Sequence, residues 1–210
     1  MDTNGHESQK EDARRVFQLI LASRNPHKTR EFRELLGRDF EVKDLSSNPE
    51  ITMPKETGRT FEENAILKAT SVSKLMEGFV IADDSGLEVH ALNGAPGIYS
   101  ARYAGEKASD TANLAKLLGE LRNAANRSGR FRCVIALAKA GRVLGTVEGV
   151  VEGAIVDQPR GNGGFGYDPV FQPNGFAETF AEMGAALKNK VSHRAKAVAA
   201  LREKLSELAD

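Results

Sequence analysis

The run RFRCVIALAK (130–139), the pair AG (140–141) and the run RVLGTVEGVVEGAIV (142–156) decide the fold. Both runs look like long strands, and Ala140-Gly141 between them suits a tight hairpin. A long antiparallel hairpin is incompatible with an all-parallel sheet. The chain before it reads differently. VFQLILA (16–22) has the composition of a buried strand, and Ser23-Arg24 follows as a turn. Asn25 suits an N-cap, with Pro26 at the first helical position, where its missing N–H costs nothing. Phe32, Leu35 and Leu36 form the apolar stripe of that helix, and Gly37 stops it. Helices alternating with strands early, then a hairpin, imply a mixed α/β sheet.

Further out, Glu41 to Met53 is irregular or a short strand. Thr60-Phe61-Glu62-Glu63 is a capping box, and Phe61, Ala65, Ala69, Val72 and Met76 keep helical spacing up to Gly78. FVIA (79–82) is a short buried strand, expected to end in an Asp83-Asp84-Ser85-Gly86 turn. Gly94 to Gly105 is a loop, and Asp110 is expected to cap a helix carrying Leu114, Leu117, Leu118 and Leu121. Gly161 to Tyr167 is a glycine-rich loop. Ser192 caps the last helix, whose stripe is Val198, Leu201, Leu205 and Leu208.

The 210 residues suffice for a substantial core, assigned to one domain over 16–210, with the polar stretch 1–15 read as a disordered tail. Lys+Arg and Asp+Glu both number 29, so the formal net charge is zero. That balance gives no support to nucleic-acid binding, and an anionic ligand must be held by a local cluster. Cys133 is alone, which excludes an intramolecular disulfide and fits a reducing, cytoplasmic compartment. Inside its apolar run it reads as a core residue. No apolar run approaches the ~20 residues of a membrane span, and the first residues lack the apolar centre of a signal peptide.

Four clusters carry potential chemistry. Ser23-Arg24-Asn25-Pro26-His27-Lys28 lies between a strand and a helix N-terminus, a place suited to phosphate; it reads equally as a capped helix with a solvated lysine. Asp83-Asp84-Ser85-Gly86 offers adjacent carboxylates suited to a hard cation such as Mg²⁺, or an Asx turn. Glu56, Glu62 and Glu63 are further carboxylates. Gly161-Asn162-Gly163-Gly164-Phe165-Gly166-Tyr167-Asp168 allows close backbone approach and supplies aromatic faces for a base; it lacks the Gly-Lys-Ser/Thr ending of a P-loop. Lys188-Asn189-Lys190-Val191-Ser192-His193-Arg194 places cations at the opening of the last helix, where they suit phosphate or a base carbonyl. Together these describe a site for a Mg²⁺–nucleotide. No serine or cysteine triad pattern and no Zn²⁺ spacing is present.

At these same residues the chain resembles the inosine triphosphate pyrophosphatase family, the XTP/dITP diphosphatases. The resemblance runs from Val16 to Leu208. It is carried by LASRNPHK (21–28), Glu56-Thr57-Gly58 with Phe61 and Glu63-Asn64-Ala65, ADDSGLEV (82–89) through GAPGIYSARY (94–103), GGFGYDP (163–169) and Ser192-His193-Arg194. It implies an elongated mixed sheet flanked by helices, in two lobes with the active site in the cleft, and a homodimer. It implies Mg²⁺-dependent hydrolysis of ITP, dITP and XTP to monophosphate and pyrophosphate. By the same resemblance Asp84 is general base and Mg²⁺ ligand, and Glu56 the second acidic ligand. Ser23 through Lys28 hold the triphosphate, with Ser85 nearby. Phe165, Gly166, Tyr167 and Asp168 hold base and sugar, Phe165 by stacking, and Lys188, His193 and Arg194 complete the pocket. Lys68 matches a family lysine that meets phosphate. Arg24 departs from the small residue often found at its position. The competing readings are a pyrimidine-directed pyrophosphatase of related fold, a nucleotide sensor without turnover and a nucleic-acid-binding module.

Overall fold

Parallel strands need a crossover between them, and the first third of the chain supplies two. In the computed structural model, which describes residues 16–208, β1 (Phe17–Leu21) is followed by α1 (Pro26–Leu36) and β2 (Phe40–Asp44), then by α2 (Phe61–Ser73) and β3 (Phe79–Val89). Both β2 and β3 pair parallel with β1. The remaining strands are antiparallel: β4 (Ser128–Lys139) on β3, β5 (Arg142–Ile155) on β4, and short β6 (Phe171–Pro173) on β5. The result is one mixed six-stranded sheet, ordered β2-β1-β3-β4-β5-β6. The hairpin turns at Ala140 and Gly141, with φ of 50° and 76°, the double positive φ that a two-residue turn of matching twist requires. The tail reading for 1–15 lies outside the described residues.

Side chains along β4 sort by parity, as a strand requires. Cys133, Ile135 and Leu137 face a cluster with Phe32 and Leu36 of α1 and with Val198 and Leu201 of α5 (His193–Glu207). Val134, Ala136 and Ala138 face the opposite cluster, with Phe61, Ala65, Ala69 and Val72 of α2. At the far end of β4, Phe131 joins a third cluster with Tyr167, Phe171, Phe180 and the leucines of α3 (Asp110–Glu120). Helix α5 crosses β5 at Gly149 so closely that any Cβ there would collide with the backbone of His193 and Ala197. Among the described residues no helix is long and apolar enough to cross a membrane.

Several local expectations are corrected. Asp83 to Gly86 is not a turn: β3 continues through it, with Asp83 opposite Ile135 and Asp84 opposite Val134 on β4. The ladder to β4 carries the strand on, and alternation sends the two carboxylates to opposite faces, so they do not face each other. Helix α2 ends at Ser73, short of Gly78; the Ser73 hydroxyl accepts the Gly141 N–H of the hairpin turn at 3.0 Å. Its capping box is skewed: Thr60 accepts from the Glu63 N–H at 3.1 Å, but the Glu63 carboxylate takes the N–H of Arg59 at 2.6 Å. Ser109, not Asp110, caps α3, and Lys188 sits on a separate short helix, α4 (Ala185–Val191). Leu208 is exposed beyond the end of α5.

Candidate active site

Because they point to opposite faces of β3, Asp83 and Asp84 each organise a separate network. Lys28, in the first turn of α1, donates to Asp83 at 2.9 Å, and Arg194, in the first turn of α5, donates to it at 3.0 Å. Burial alone would raise the Asp83 pKa; Lys28, Arg194 and Lys68 overcome it and hold the carboxyl far below the usual range. Arg194 is 2% exposed and also donates to Ser85 Oγ at 2.9 Å and to Glu31. Glu31 in turn accepts from Lys188 at 2.8 Å, and Lys188 donates to Asp168 at 2.7 Å. Charges alternate along the whole chain Lys28–Asp83–Arg194–Glu31–Lys188–Asp168, which keeps each buried ion partnered.

On the other face, Asp84 accepts from Lys68 at 2.9 Å and from Asn64 Nδ2 at 3.1 Å, both side chains one turn apart on α2. Lys68 also donates to Glu56 at 3.2 Å, and Arg102 donates to Glu56 at 2.8 Å. Burial raises the Asp84 pKa by more than Lys68 lowers it, so it stands above that of an ordinary aspartate. Glu56 goes the other way: burial is outweighed by Lys68 and Arg102. Among the described residues no three carboxylates, imidazoles or thiolates gather at one point. The acidic pair that converges is Glu56 with Asp84, both on Lys68.

Three cavities adjoin Glu56, and two of them reach the Asp83, Asp84 and Lys68 side chains. One, about 170 Å³, lies among Asp84, Ser85, Phe131, Phe165, His193 and Arg194. The other, about 750 Å³, is a cleft bordered by Lys28, Lys55, Lys68 and Arg102. Asn25, Lys28 and Glu56 line both. Gly86 admits the segment 97–100 to the cavity wall, since a Cβ there would strike Ser100 Oγ and the Gly97 carbonyl.

Of the residues singled out in the sequence, Ser23, Arg24, Asn25 and Lys28 border the cleft. Ser85, Phe165, Gly166, Tyr167, Asp168, Lys188, His193 and Arg194 border the smaller cavity, while Pro26 and His27 border neither. Arg24 turns to main-chain carbonyls, donating to Asn48 at 3.0 Å and Ile51 at 2.6 Å, so its charge fastens the segment 48–51. The Asn25 carboxamide accepts the N–H groups of His27 at 2.9 Å and Lys28 at 3.3 Å, and thus itself caps the helix end expected to meet phosphate. Asp168 accepts the Phe165 N–H at 2.9 Å, and Tyr167 donates to the Ser100 carbonyl at 2.9 Å. Both acts shape the glycine-rich loop.

His193 stacks on Phe131, ring centroids 4.6 Å apart and planes 9° from parallel. Burial, then Arg194 and Lys188, push its pKa well below that of a free imidazole, so the ring is neutral. His193 Nδ1 and Arg194 Nε are buried without a hydrogen-bond partner, and both residues border the cavity. Cys133 is a core residue, as expected, its thiol pushed up to about 12 by burial. Sequence reasoning missed Glu31. The one signal was its place one turn after Lys28 on α1; its partners lie far along the chain.

The family model for the Ham1 family matches residues 19–204. A dITP/XTP pyrophosphatase of Bacillus licheniformis is 51% identical over 199 residues, which is 92% of this chain and 98% of that one. Its counterpart in Bacillus subtilis is 48% identical, covering 91% and 96%. Among solved structures, the Ham1 protein of Staphylococcus aureus superposes with a TM-score of 0.81 at 43% identity, covering 90% of this chain and 98% of that one. A HAM1 protein of Coxiella burnetii gives 0.82 at 40% identity, covering 91% and 99%. In sequence and in backbone alike, over nearly its full described length, the chain belongs to the Ham1 family.

Proposed function

We propose that this protein is a nucleoside-triphosphate pyrophosphatase that hydrolyses non-standard purine nucleotides, dITP, XTP and ITP, to monophosphate and pyrophosphate with Mg²⁺. The names of its relatives support the reaction class and the first two substrates. The observation that carries the reading is Asp84: a buried carboxylate held by Lys68 and Asn64, where the smaller cavity opens into a cleft bordered by lysines. The base occupies the cavity and the phosphates the cleft. Asp84 accepts the proton of the attacking water. Lys28, Lys68 and Arg102 offset charge on the phosphate oxygens.

The donors available to a cation, Glu56 and Asp84, are oxygen only, which fits Mg²⁺; that ion takes one or two carboxylates and completes its shell with water and substrate phosphate. When bound there it would neutralise phosphate charge beside the lysines. For selectivity we assign the two unpartnered atoms, His193 Nδ1 and Arg194 Nε. A donor at either position pairs with the 6-carbonyl of hypoxanthine or xanthine, whereas the 6-amino group of adenine leaves it unpaired.

The test is hydrolysis of XTP, dITP, ITP, GTP and ATP with Mg²⁺, pyrophosphate and orthophosphate being measured separately. Pyrophosphate from the first three, with Asp84→Asn slowed by roughly 10²–10⁴-fold, is the expected result. Orthophosphate as direct product rejects the reading. Tight binding of XTP without turnover replaces it with a sensor.

A further inference from the structure

His27 occupies the second position of α1, next to Lys28, yet borders neither cavity. Its ring instead lies face to face with Phe165, centroids 5.4 Å apart and planes 22° from parallel. Its Nδ1 is 3.4 Å from Arg30 Nη2 one turn along the helix, a contact that orients the imidazole. Phe165 does border the smaller cavity, with Lys188 Nζ 5.3 Å and the Arg194 guanidinium carbon 5.7 Å from its ring centroid.

The loop carrying Phe165 is tied down through its backbone. The Phe165 N–H donates to Asp168, and the Gly166 N–H donates to Asp110 at 2.7 Å. Neither bond fixes the direction of the phenyl ring. Its neighbours Gly164 and Gly166 have φ of 72° and 61°, a backbone without side chains to confine it. His27, exposed on α1, supplies a flat surface against that ring from outside the cavity. A direct phosphate role for its main-chain N–H is disfavoured, because that group already donates to Asn25.

We propose that His27 is a positioning residue: stacked on Phe165 from outside, it orients the phenyl face that the cavity offers to the purine. This rests on the reading of the cavity as the base site and removes His27 from the phosphate site. A residue acting through a second ring affects capture of the base and not the reacting atoms. The effect falls on KM more than on kcat, and similarly for different purines, because stacking is tolerant of base identity. A ligand without a base does not sense it.

The experiment compares wild type, His27→Ala and His27→Phe for kcat and KM with XTP and dITP, and for inhibition by inorganic tripolyphosphate. A stack of this kind predicts a KM raised roughly three- to tenfold in His27→Ala for both substrates. It also predicts kcat within about twofold, restoration of KM in His27→Phe, and unchanged tripolyphosphate inhibition in all three. An unchanged KM in His27→Ala overturns the proposal. So does a loss of tripolyphosphate inhibition as large as the rise in KM, which would make His27 a phosphate ligand. So does failure of His27→Phe to restore KM. In each of those cases an active wild type leaves the proposed reaction standing. A wild type that neither binds nor turns over XTP or dITP removes that reaction, and the role of His27 with it.

Discussion

Asp83 and Asp84 are chemically identical neighbours with opposite electrostatics, and the difference lies entirely in what each meets. Asp83 has two cations within 3.0 Å and a depressed pKa; Asp84 has one lysine and one amide and a raised pKa. Their substitutions should therefore diverge. Asp83→Asn removes the carboxylate from a fully buried arginine and should destabilise the fold by roughly 3–5 kcal/mol, measured by urea unfolding. An unfolding midpoint equal to wild type would show that Glu31 alone satisfies Arg194. Asp84→Asn leaves no such orphan, because Lys68 keeps Glu56 and the metal-free fold disfavours the charged form of Asp84. Its urea midpoint, measured without divalent cations, should fall less than that of Asp83→Asn. An equal or larger fall would show that Lys68 depends on Asp84 as Arg194 depends on Asp83.

Among the elements, the approach of α5 to β5 controls where Arg194 and His193 stand. Helix α5 begins at the site and runs back over β5, and at Gly149 the helix backbone lies too close to the strand to admit a Cβ. Gly149→Ala has no soft neighbour to displace, since the colliding atoms are main chain of His193 and Ala197. It should cost roughly 1–3 kcal/mol by overpacking. It should also reduce activity by moving the N-terminus of α5, although Gly149 touches no substrate cavity. Thermal unfolding and XTP turnover measured together check this: loss of stability with full activity would show that β5, and not the N-terminus of α5, gives way. The same helix was legible in sequence from Ser192 onward. Helix α4 was not, because Lys188 to Ser192 reads as continuous with α5 until the extended backbone of Ser192 (ψ 157°) separates the two.

At the scale of the whole molecule, charge balance hides a pH-dependent stability. His193 is neutral when folded and has its pKa depressed below 6.5, so stability present above pH 6.5 falls as the unfolded chain takes up that proton at lower pH. Glu31, Glu56 and Asp83 have lowered folded pKa values, against 4.5 for the glutamates and 3.8 for the aspartate; their contribution is present above those values and is lost as pH falls through the folded ones. Asp84 and Asp168 are raised and act in the opposite sense, offsetting part of the loss. The urea midpoint should decline below about pH 6.5 and continue to fall below about 4.5. His193→Gln should flatten the upper part of that decline and leave the lower part. The same pH dependence from 7 to 5 in wild type and in His193→Gln would contradict a neutral buried His193.

The sequence by itself determined most of the element types and the mixed sheet, and it named most of the charged and aromatic side chains that line the two cavities. Hydrophobic periodicity, caps at Asn25, Thr60 and Ser192, and the Ala140-Gly141 turn are local signals, readable wherever neighbours in the chain decide the conformation. Tertiary structure decided what depends on partners far along the chain. It drew β3 through Asp83-Asp84 by pairing it with β4, and it gave those two carboxylates separate cation sets. It also joined Glu31 to Lys188 and Arg194, turned Arg24 to the 48–51 carbonyls, and laid His27 on Phe165. The physical reason is the same in each case. A side chain's energy in a low-dielectric interior is set by the charges and rings that enclose it, and sequence spacing carries no record of which those will be.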